Sequence, residues 1–263
     1  MRPLPEFGKE YSGYYDILYY NKDYEKECDY IEKLFRLFST RKVVTVRDVA
    51  CGTGRHAIAF ADRGYDVHAS DISEHMVKIA RERFRQSPQA SRLHLAVGDM
   101  RKLHGSRRFD AALCMFAALG YLSRTSDVLA TLRAIRRRLN PRGLLVFDVW
   151  NGLAVLTVRP SITTKKIRRG GITLTRKATP KLDPLRNSCR VLYDISVTQQ
   201  TGRMMRFQET HVMRYFYPQE IKDLLEFCGY DLLSLHPFLG IRRGVTSNDW
   251  NMTAVATPRP EHA

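Results

Sequence analysis

Cysteine is scarce and shows no pairing pattern. Five residues stand at positions 28, 51, 114, 189 and 228, and no C-x-x-C occurs among them. That spacing suggests neither a zinc site nor a disulfide framework, and it fits a reducing compartment, the cytoplasm. No apolar run approaches the roughly eighteen residues that a membrane helix needs. The opening stretch MRPLPEFGKEYSGYY lacks the apolar core of a secretion signal and reads as mature sequence. Acidic residues are outnumbered, 27 Asp and Glu against 43 Lys and Arg, for a net charge of +16. Such a balance admits an acidic partner, RNA or a phosphorylated sugar among them. The bases, however, are dispersed over Arg81–Arg85, Arg133–Arg138 and Lys165–Arg169 and build no single arm, so they read as a solvated basic surface. The phosphate-cradling pattern G-x-x-x-x-G-K-S/T is also missing.

What remains is an ordinary globular composition, 44% apolar over 263 residues, enough for one large domain or a domain with an insertion. No internal repeat or low-complexity tract interrupts it. From Lys42 to Trp150 strand-like and helix-like runs alternate. VVTVRDVAC is an apolar strand and Arg55–Arg63 a helix. DVHASDI is a second strand, after which Ser73 caps a helix through Phe84, with Met76, Ala80 and Phe84 on one face. RLHLAV and FDAALCMF are the third and fourth strands. Ser126 or Asp127 is expected to cap a helix with Leu129, Leu132, Ile135 and Leu139 as its inner stripe, stopped by Asn140-Pro141. GLLVFDVW is the fifth strand. Near-continuous apolar strands alternating with helices predict a parallel sheet covered on both faces.

Beyond Trp150 the period changes. Gly170-Gly171 separates TTKKIRR from ITLTRK, and Thr201-Gly202 separates RVLYDISVTQQ from RMMRFQETHVMRYF. Two hairpins predict a four-stranded antiparallel insert over roughly 160–217. Pro218 then opens a helix that ends before Gly229, and YDLLSLHPF and NMTAVAT close the chain as strands.

The stretch DVACGTGRHAIAFADRGYDVHASDIS, Asp48 to Ser73, carries the chemistry. Gly52-Thr53-Gly54-Arg55-His56-Ala57 matches the dinucleotide pattern G-x-G-x-x-A, and Asp71 follows nineteen residues after Gly52. Three features pull against a dinucleotide. A tyrosine-rich segment precedes the first strand, Asp48 sits in the strand end just before the loop, and Gly98-Asp99-Met100 places a carboxylate and a thioether after strand three. These acids fall at the carboxyl edge of the sheet, where open α/β folds bind ligands. A ligand with a ribose, an adenine and a cationic amino acid would use all of them. The glycines alone could serve only a tight turn, and Asp99 could cap one.

The stretch resembles the S-adenosylmethionine site of class I (Rossmann-like) methyltransferases, whose first motif is an acid, a small residue and C/G-x-G-x-G, here DVACGTG. The likeness spans Lys42 to Trp150 and, more loosely, Pro218–Thr257. It implies a doubly wound, mostly parallel seven-stranded α/β sheet with the four-stranded insert after strand five, and S-adenosylmethionine as cofactor. It also implies that Gly52 and Gly54 let the backbone approach the amino-acid moiety, that Asp71 accepts from both ribose hydroxyls, that Asp99 accepts from the adenine amine and that Met100 packs on the ring. Asp48, Ala50, Ile72, Met76 and Met115 complete the expected cofactor contacts. YYDILYYNKDYEKECDYI, DVACGTGRH, GDM and CMFAALGYL together look like the amino-sugar N-methyltransferases of antibiotic biosynthesis, which also carry a β-rich insert at this point. On that likeness residues 1–40 form a helical cap, 41–152 with 218–263 the cofactor domain, and 153–217 an insert that walls the acceptor or makes a dimer contact.

Methyl transfer is an in-line displacement from a sulfonium, which asks for alignment and exclusion of water and needs no metal. Aromatic faces stabilise the cation. Seven tyrosines fall between 11 and 30; Tyr15, Tyr19 and Tyr24 lie where the sugar enzymes fold over their cofactor, though any one could simply pack an amphipathic helix on the sheet. Met115-Phe116 and Gly120-Tyr121 follow strand four, where class I enzymes commonly contact the acceptor. Glu209, His211, Met213 and Tyr215 share one strand face by parity, and His211 is a candidate base or substrate ligand, with a satisfied core histidine as the plainer reading. Tyr19, Tyr121 and His211 are the candidate catalytic residues. Cys51 and Cys114 are expected only to pack. The leading expectation is a cytoplasmic methyltransferase, monomer or homodimer, acting on a small amino-sugar-like amine. An RNA methyltransferase, a non-catalytic cofactor-binding partner and an NAD-dependent oxidoreductase are the alternatives; an N-P-P-Y motif, which would favour adenine chemistry, is absent.

Overall fold

The computed structural model describes residues 7–241 and 243–260. The first six and last three residues of the expected segments lie outside them. In chain order the elements are α1 (Lys9–Leu18), α2 (Tyr24–Phe38), β1 (Thr45–Val49), α3 (Arg55–Asp62), β2 (Asp66–Asp71), α4 (Glu74–Gln86), β3 (Leu93–Val97), β4 (Phe109–Cys114), α5 (Thr125–Arg136), β5 (Leu139–Trp150) and α6 (Gly152–Val158). They continue with β6 (Thr163–Arg169), β7 (Ile172–Asp183), β8 (Ser188–Gln199), β9 (Met204–Arg214), α7 (Pro218–Phe227), β10 (Tyr230–Pro237) and β11 (Asn251–Pro258). No helix among the described residues is long and apolar enough to cross a membrane.

Seven strands form one sheet in the order β10-β11-β5-β4-β1-β2-β3. β1 through β5 are parallel neighbours, while β11 runs antiparallel to β5 and β10 to β11. The central strands β4 and β5 are buried on both faces because helices cover both. One apolar cluster gathers Val128, Leu132 and Ile135 of α5 with Leu145 and Phe147 of β5. A second holds Ile31 and Phe35 of α2 against Phe60 of α3 and Val46 of β1.

Ser73 does cap α4, its hydroxyl accepting from the Met76 amide at 3.4 Å. α5 departs from expectation. It starts at Thr125 without a side-chain cap and ends at Arg136. Leu139 and Asn140-Pro141 already belong to β5, because Leu139 pairs with Phe109 of β4. Strand pairing therefore ends this helix before the proline does, and the buried stripe is Val128, Thr131, Leu132 and Ile135 with Leu129 only partly covered.

The second sheet is the four-stranded antiparallel β6-β7-β8-β9. Its parity is as read from the sequence: Glu209, His211, Met213 and Tyr215 are all buried. The sheet leaves β5 and returns beside it, since the Phe216 amide donates to Trp150 O at 2.9 Å and the Gly152 amide to Phe216 O at 2.8 Å. Asn151 caps α6 through the Leu153 amide and donates to Thr246 O and Asp249 O. α1 lies between this sheet and α4. Tyr11, Tyr15 and Leu18 pack with Met76 on one side and Ile167, Leu174, Ile195 and Val197 on the other. Lys165 donates to Leu18 O and Asn21 Oδ1, each at 3.0 Å, and Glu209 accepts from the Gly8 amide at 3.1 Å.

Candidate active site

The strand order reverses between β1 and β4, and a cavity of about 670 Å³ opens at the carboxyl ends of these strands. That is where a doubly wound sheet receives ligands. Three parts of the chain wall it: the loops after β1, β2 and β4, the N-terminal segment, and the inner face of the insert.

The β1 loop turns by left-handed backbone at alternate residues: Ala50 at φ 58°, Gly52 at 57° and Gly54 at 76°. The two glycines differ in duty. A Cβ on Gly52 would meet nothing within 4 Å, so this residue bares backbone to the cavity. A Cβ on Gly54 would come within 2.6 Å of the Phe84 ring, which makes Gly54 a packing glycine between α3 and α4. Asp71 ties the loop to β2, accepting from the Gly52 amide at 2.9 Å and the Ser73 amide at 2.8 Å. Burial pushes its carboxyl up, partly offset by the amides of Ser73, Gly52 and Ile72. An ionised carboxylate offers about four acceptor positions, more than these amides occupy, so room remains for a ligand. Asp48 is 2% exposed, lines the same wall, and its Oδ2 has no hydrogen-bond partner. Burial pushes its carboxyl up to about 6 against the pull of His56 and Arg47.

Behind Asp48, His56 Nε2 lies 2.8 Å from Glu27 Oε2, and Glu27 also pairs with Lys22. Burial would raise the Glu27 carboxyl, but the His56 hydrogen bond and the Lys22 ammonium hold it below the usual range. Lys22 Nζ sits 4.3 Å over the Phe116 ring. Phe116 and Ala117 are consecutive non-glycine residues in left-handed conformation, φ 63° and 55°. The buried Asp148 supports that strained turn by accepting from the Ala117 amide at 3.0 Å, with Asn251 on its other oxygen at 2.8 Å.

The opposite wall is aromatic. Tyr121 Oη is 2.8 Å from His211 Nδ1. Phe7, Tyr11, Tyr121 and Tyr193 surround the His211 ring at centroid distances of 5.0, 4.9, 5.7 and 5.2 Å. Burial, with Arg176 nearby, pushes this imidazole down to about 4. Tyr19 packs on Tyr15 at 4.7 Å and Phe116 at 5.1 Å, and its hydroxyl accepts from Arg176 at 3.3 Å.

Of the residues singled out in the sequence, Tyr15, Tyr19, Tyr24, Asp48, Ala50, Gly52, Asp71, Ile72, Met76, Met100, Met115, Tyr121 and His211 all line this cavity. Gly54 and Asp99 do not. Gly54 is held back by Phe84, and the Asp99 carboxylate is taken by Arg101, whose Nε and Nη2 lie 2.9 and 2.6 Å from Oδ2. Lys22, His56, Tyr193 and Asn251, which were not among the expected site residues, also line the cavity, as does Met213 on the His211 strand face. Met213 and Tyr193 sit on strand faces that parity marks as inward; Lys22 and Asn251 carry no local signal.

Comparison with known proteins agrees with this geometry. Residues 46–143 match the family described as "Methyltransferase domain". The chain is 30% identical over 224 residues to "Putative methyltransferase YqeM" of Bacillus subtilis (strain 168), covering 84% of this chain and 85% of that one. It is 29% identical over 222 residues to the dTDP-3-amino-3,4,6-trideoxy-alpha-D-glucopyranose N,N-dimethyltransferase of Streptomyces venezuelae, covering 84% and 90% of the two chains. The crystal structure of Streptomyces venezuelae DesVI superposes with a TM-score of 0.80 at 25% identity, over 96% of this chain and 100% of that one. Fold and site together define an S-adenosylmethionine-dependent methyltransferase. The chain belongs to the class I methyltransferase family, close to the amino-sugar N-methyltransferases, and S-adenosylmethionine is its cofactor.

Proposed function

We propose that this protein N-methylates a small amine of the amino-sugar class. The observation that carries the reading is the division of one cavity into a carboxylate wall, Asp48 and Asp71 with the bare backbone of Gly52, and an aromatic wall with the Tyr121–His211 pair. The named substrate of the Streptomyces venezuelae relative, an amino sugar, supports it.

The carboxylate wall suits the cofactor. Asp71 has acceptor positions left for a diol after serving these amides. Asp48 Oδ2 is a buried acceptor awaiting a donor, and a cationic amino group answers it. Ala50, Ile72, Met76, Met100 and Met115 supply apolar surface for the rest. S-adenosylmethionine brings the methyl group as an electrophile on a positively charged sulfur. Tyr15, Tyr19 and Tyr24 line the same cavity and would offer aromatic surface to that charge.

The acceptor must arrive as a free amine, because a protonated nitrogen has no lone pair to donate. His211, held near 4, is too weak a base to take the proton at neutral pH. We therefore give the Tyr121–His211 pair an orienting role: His211 fixes the Tyr121 hydroxyl, and that hydroxyl aims the amine nitrogen. Residues 7–40 then act as a cap and 153–217 as the acceptor wall, around a cofactor domain of 41–152 and 218–260. Five cysteines, none in a disulfide, support a cytoplasmic setting.

The test is direct. Purified protein is incubated with S-adenosylmethionine and a panel of free and nucleotide-linked amino sugars, and products are read by mass spectrometry for added methyl groups. Methylation of an amine is expected. Turnover of hydroxyl acceptors alone would overturn the acceptor class while leaving methyl transfer standing.

A further inference from the structure

The amino ends of β2 and β3 carry a second cluster, at the edge of the sheet opposite the cavity. Asp66 and His68 are two apart on β2, so their side chains leave the same face. His94 of β3 is the register partner of His68, and the two imidazole rings stack with centroids 4.1 Å apart at 25°. Asp66 Oδ1 lies 3.0 Å from His94 Nε2 and 3.8 Å from His68 Nε2. Both Asp66 Oδ1 and His68 Nε2 are shut off from water; Oδ1 has only the His94 ring nitrogen at ion-pair distance, and His68 Nε2 has no hydrogen-bond partner. A buried imidazole nitrogen left unsatisfied beside a carboxylate oxygen and a second imidazole points to a ligand that the three share.

We propose that Asp66, His68 and His94 bind a divalent transition-metal ion of the zinc type. Tetrahedral coordination at about 2.0–2.2 Å from nitrogen and oxygen sets ligand atoms roughly 3.4 Å apart, and the observed 3.0 and 3.8 Å straddle that value. Two imidazoles and one carboxylate are a donor set for zinc, nickel or copper rather than calcium or magnesium. The fourth position is left to water. Arg107 pairs with the other carboxylate oxygen and leaves Oδ1 to the ion. Arg47, from β1, donates to His68 O at 3.5 Å and Ser70 Oγ at 2.9 Å. These two guanidiniums are the charges beside the site, and both oppose a dication. Phe109 backs the cluster, its ring centroid 5.0 Å from His68. The ion would pin β3, the sheet's edge strand, to β2. Its role is therefore structural and separate from methyl transfer. Cysteine spacing gives no hint of it, because its ligands are imidazoles and a carboxylate on neighbouring strands.

The test uses the full chain, stripped with a chelator and desalted, then titrated with zinc chloride by calorimetry alongside thermal unfolding. One equivalent should bind and raise the melting midpoint. His94→Gln, at a half-exposed position, and His68→Phe, which keeps a ring on Phe109, should each weaken binding by at least about tenfold and cancel the thermal shift. Arg107→Gln should tighten binding, since it removes an opposing charge. Methyl transfer by the metal-free His94→Gln protein should match that of the metal-free parent. No binding, or binding unchanged in His94→Gln, would overturn the site; should His68→Phe fail to fold, His94→Gln and Arg107→Gln decide the matter.

Discussion

The Tyr121 hydroxyl and His211 Nδ1 stand 2.8 Å apart, although ninety positions separate them in the chain. One residue follows β4 of the cofactor sheet; the other is on β9 of the insert. This hydrogen bond is where the insert meets the cofactor fold over the cavity. Tyr121→Phe and His211→Ala should each lower turnover about tenfold or more, with S-adenosylhomocysteine affinity nearly unchanged, because neither touches the carboxylate wall. Steady-state kinetics with calorimetry checks this. Full activity in both would place the acceptor elsewhere and leave the insert as a dimer contact.

The rate should follow the acceptor's own ionisation. With His211 near 4, the imidazole does not titrate between pH 6 and 9. Turnover at low amine concentration is expected to rise with pH until the amine is deprotonated, then level. A limb that shifts with His211→Ala but not with a less basic amine would mean that the imidazole takes the proton after all.

Cofactor affinity should weaken in acid. Burial pushes the Asp48 carboxyl up to about 6, and a bound ammonium would pull it lower. Binding then expels a proton from Asp48 below that pH. By linkage, affinity should be flat above about pH 6 and fall by up to about tenfold per unit beneath it. Calorimetric titration of S-adenosylhomocysteine across pH 4.5–8 reads the slope, and Asp48→Asn should remove it.

Asp71→Ala should cost cofactor binding about 2–3 kcal/mol, since it deletes charge-assisted bonds from a buried carboxylate. Unchanged affinity would sink the assignment, and tight NADH binding by the parent would replace it.

The two loop glycines should fail in different ways. Gly54→Ala forces a Cβ onto the Phe84 ring and strains a left-handed residue, so the melting midpoint should fall by the equivalent of about 1–3 kcal/mol. Gly52→Ala carries only the left-handed strain and instead places a methyl group in open cavity. Its main effect should be weaker cofactor binding, measured beside thermal unfolding of both variants.

The α/β class, the alternating strands and the two insert hairpins were legible in the chain, because strand and helix periods and turn glycines are local properties. So was the position of the loop after β1 that lines the cavity, where Asp48, Gly52 and Asp71 stand at strand ends that the apolar runs mark. The parity of β9 even placed His211 and Met213 inward. Sequence could not distinguish Gly52 from Gly54, because their difference lies in Phe84, thirty residues on. Nor could it show that Arg101 occupies Asp99, or that strand pairing at Leu139 ends α5 before Pro141. Tertiary structure alone decided which side chains meet across the cavity. Lys22 over Phe116, the Glu27–His56 bond and the Tyr121–His211 bond each join residues from separate elements. Such contacts depend on how elements pack across the sheet, and no period along the chain encodes them.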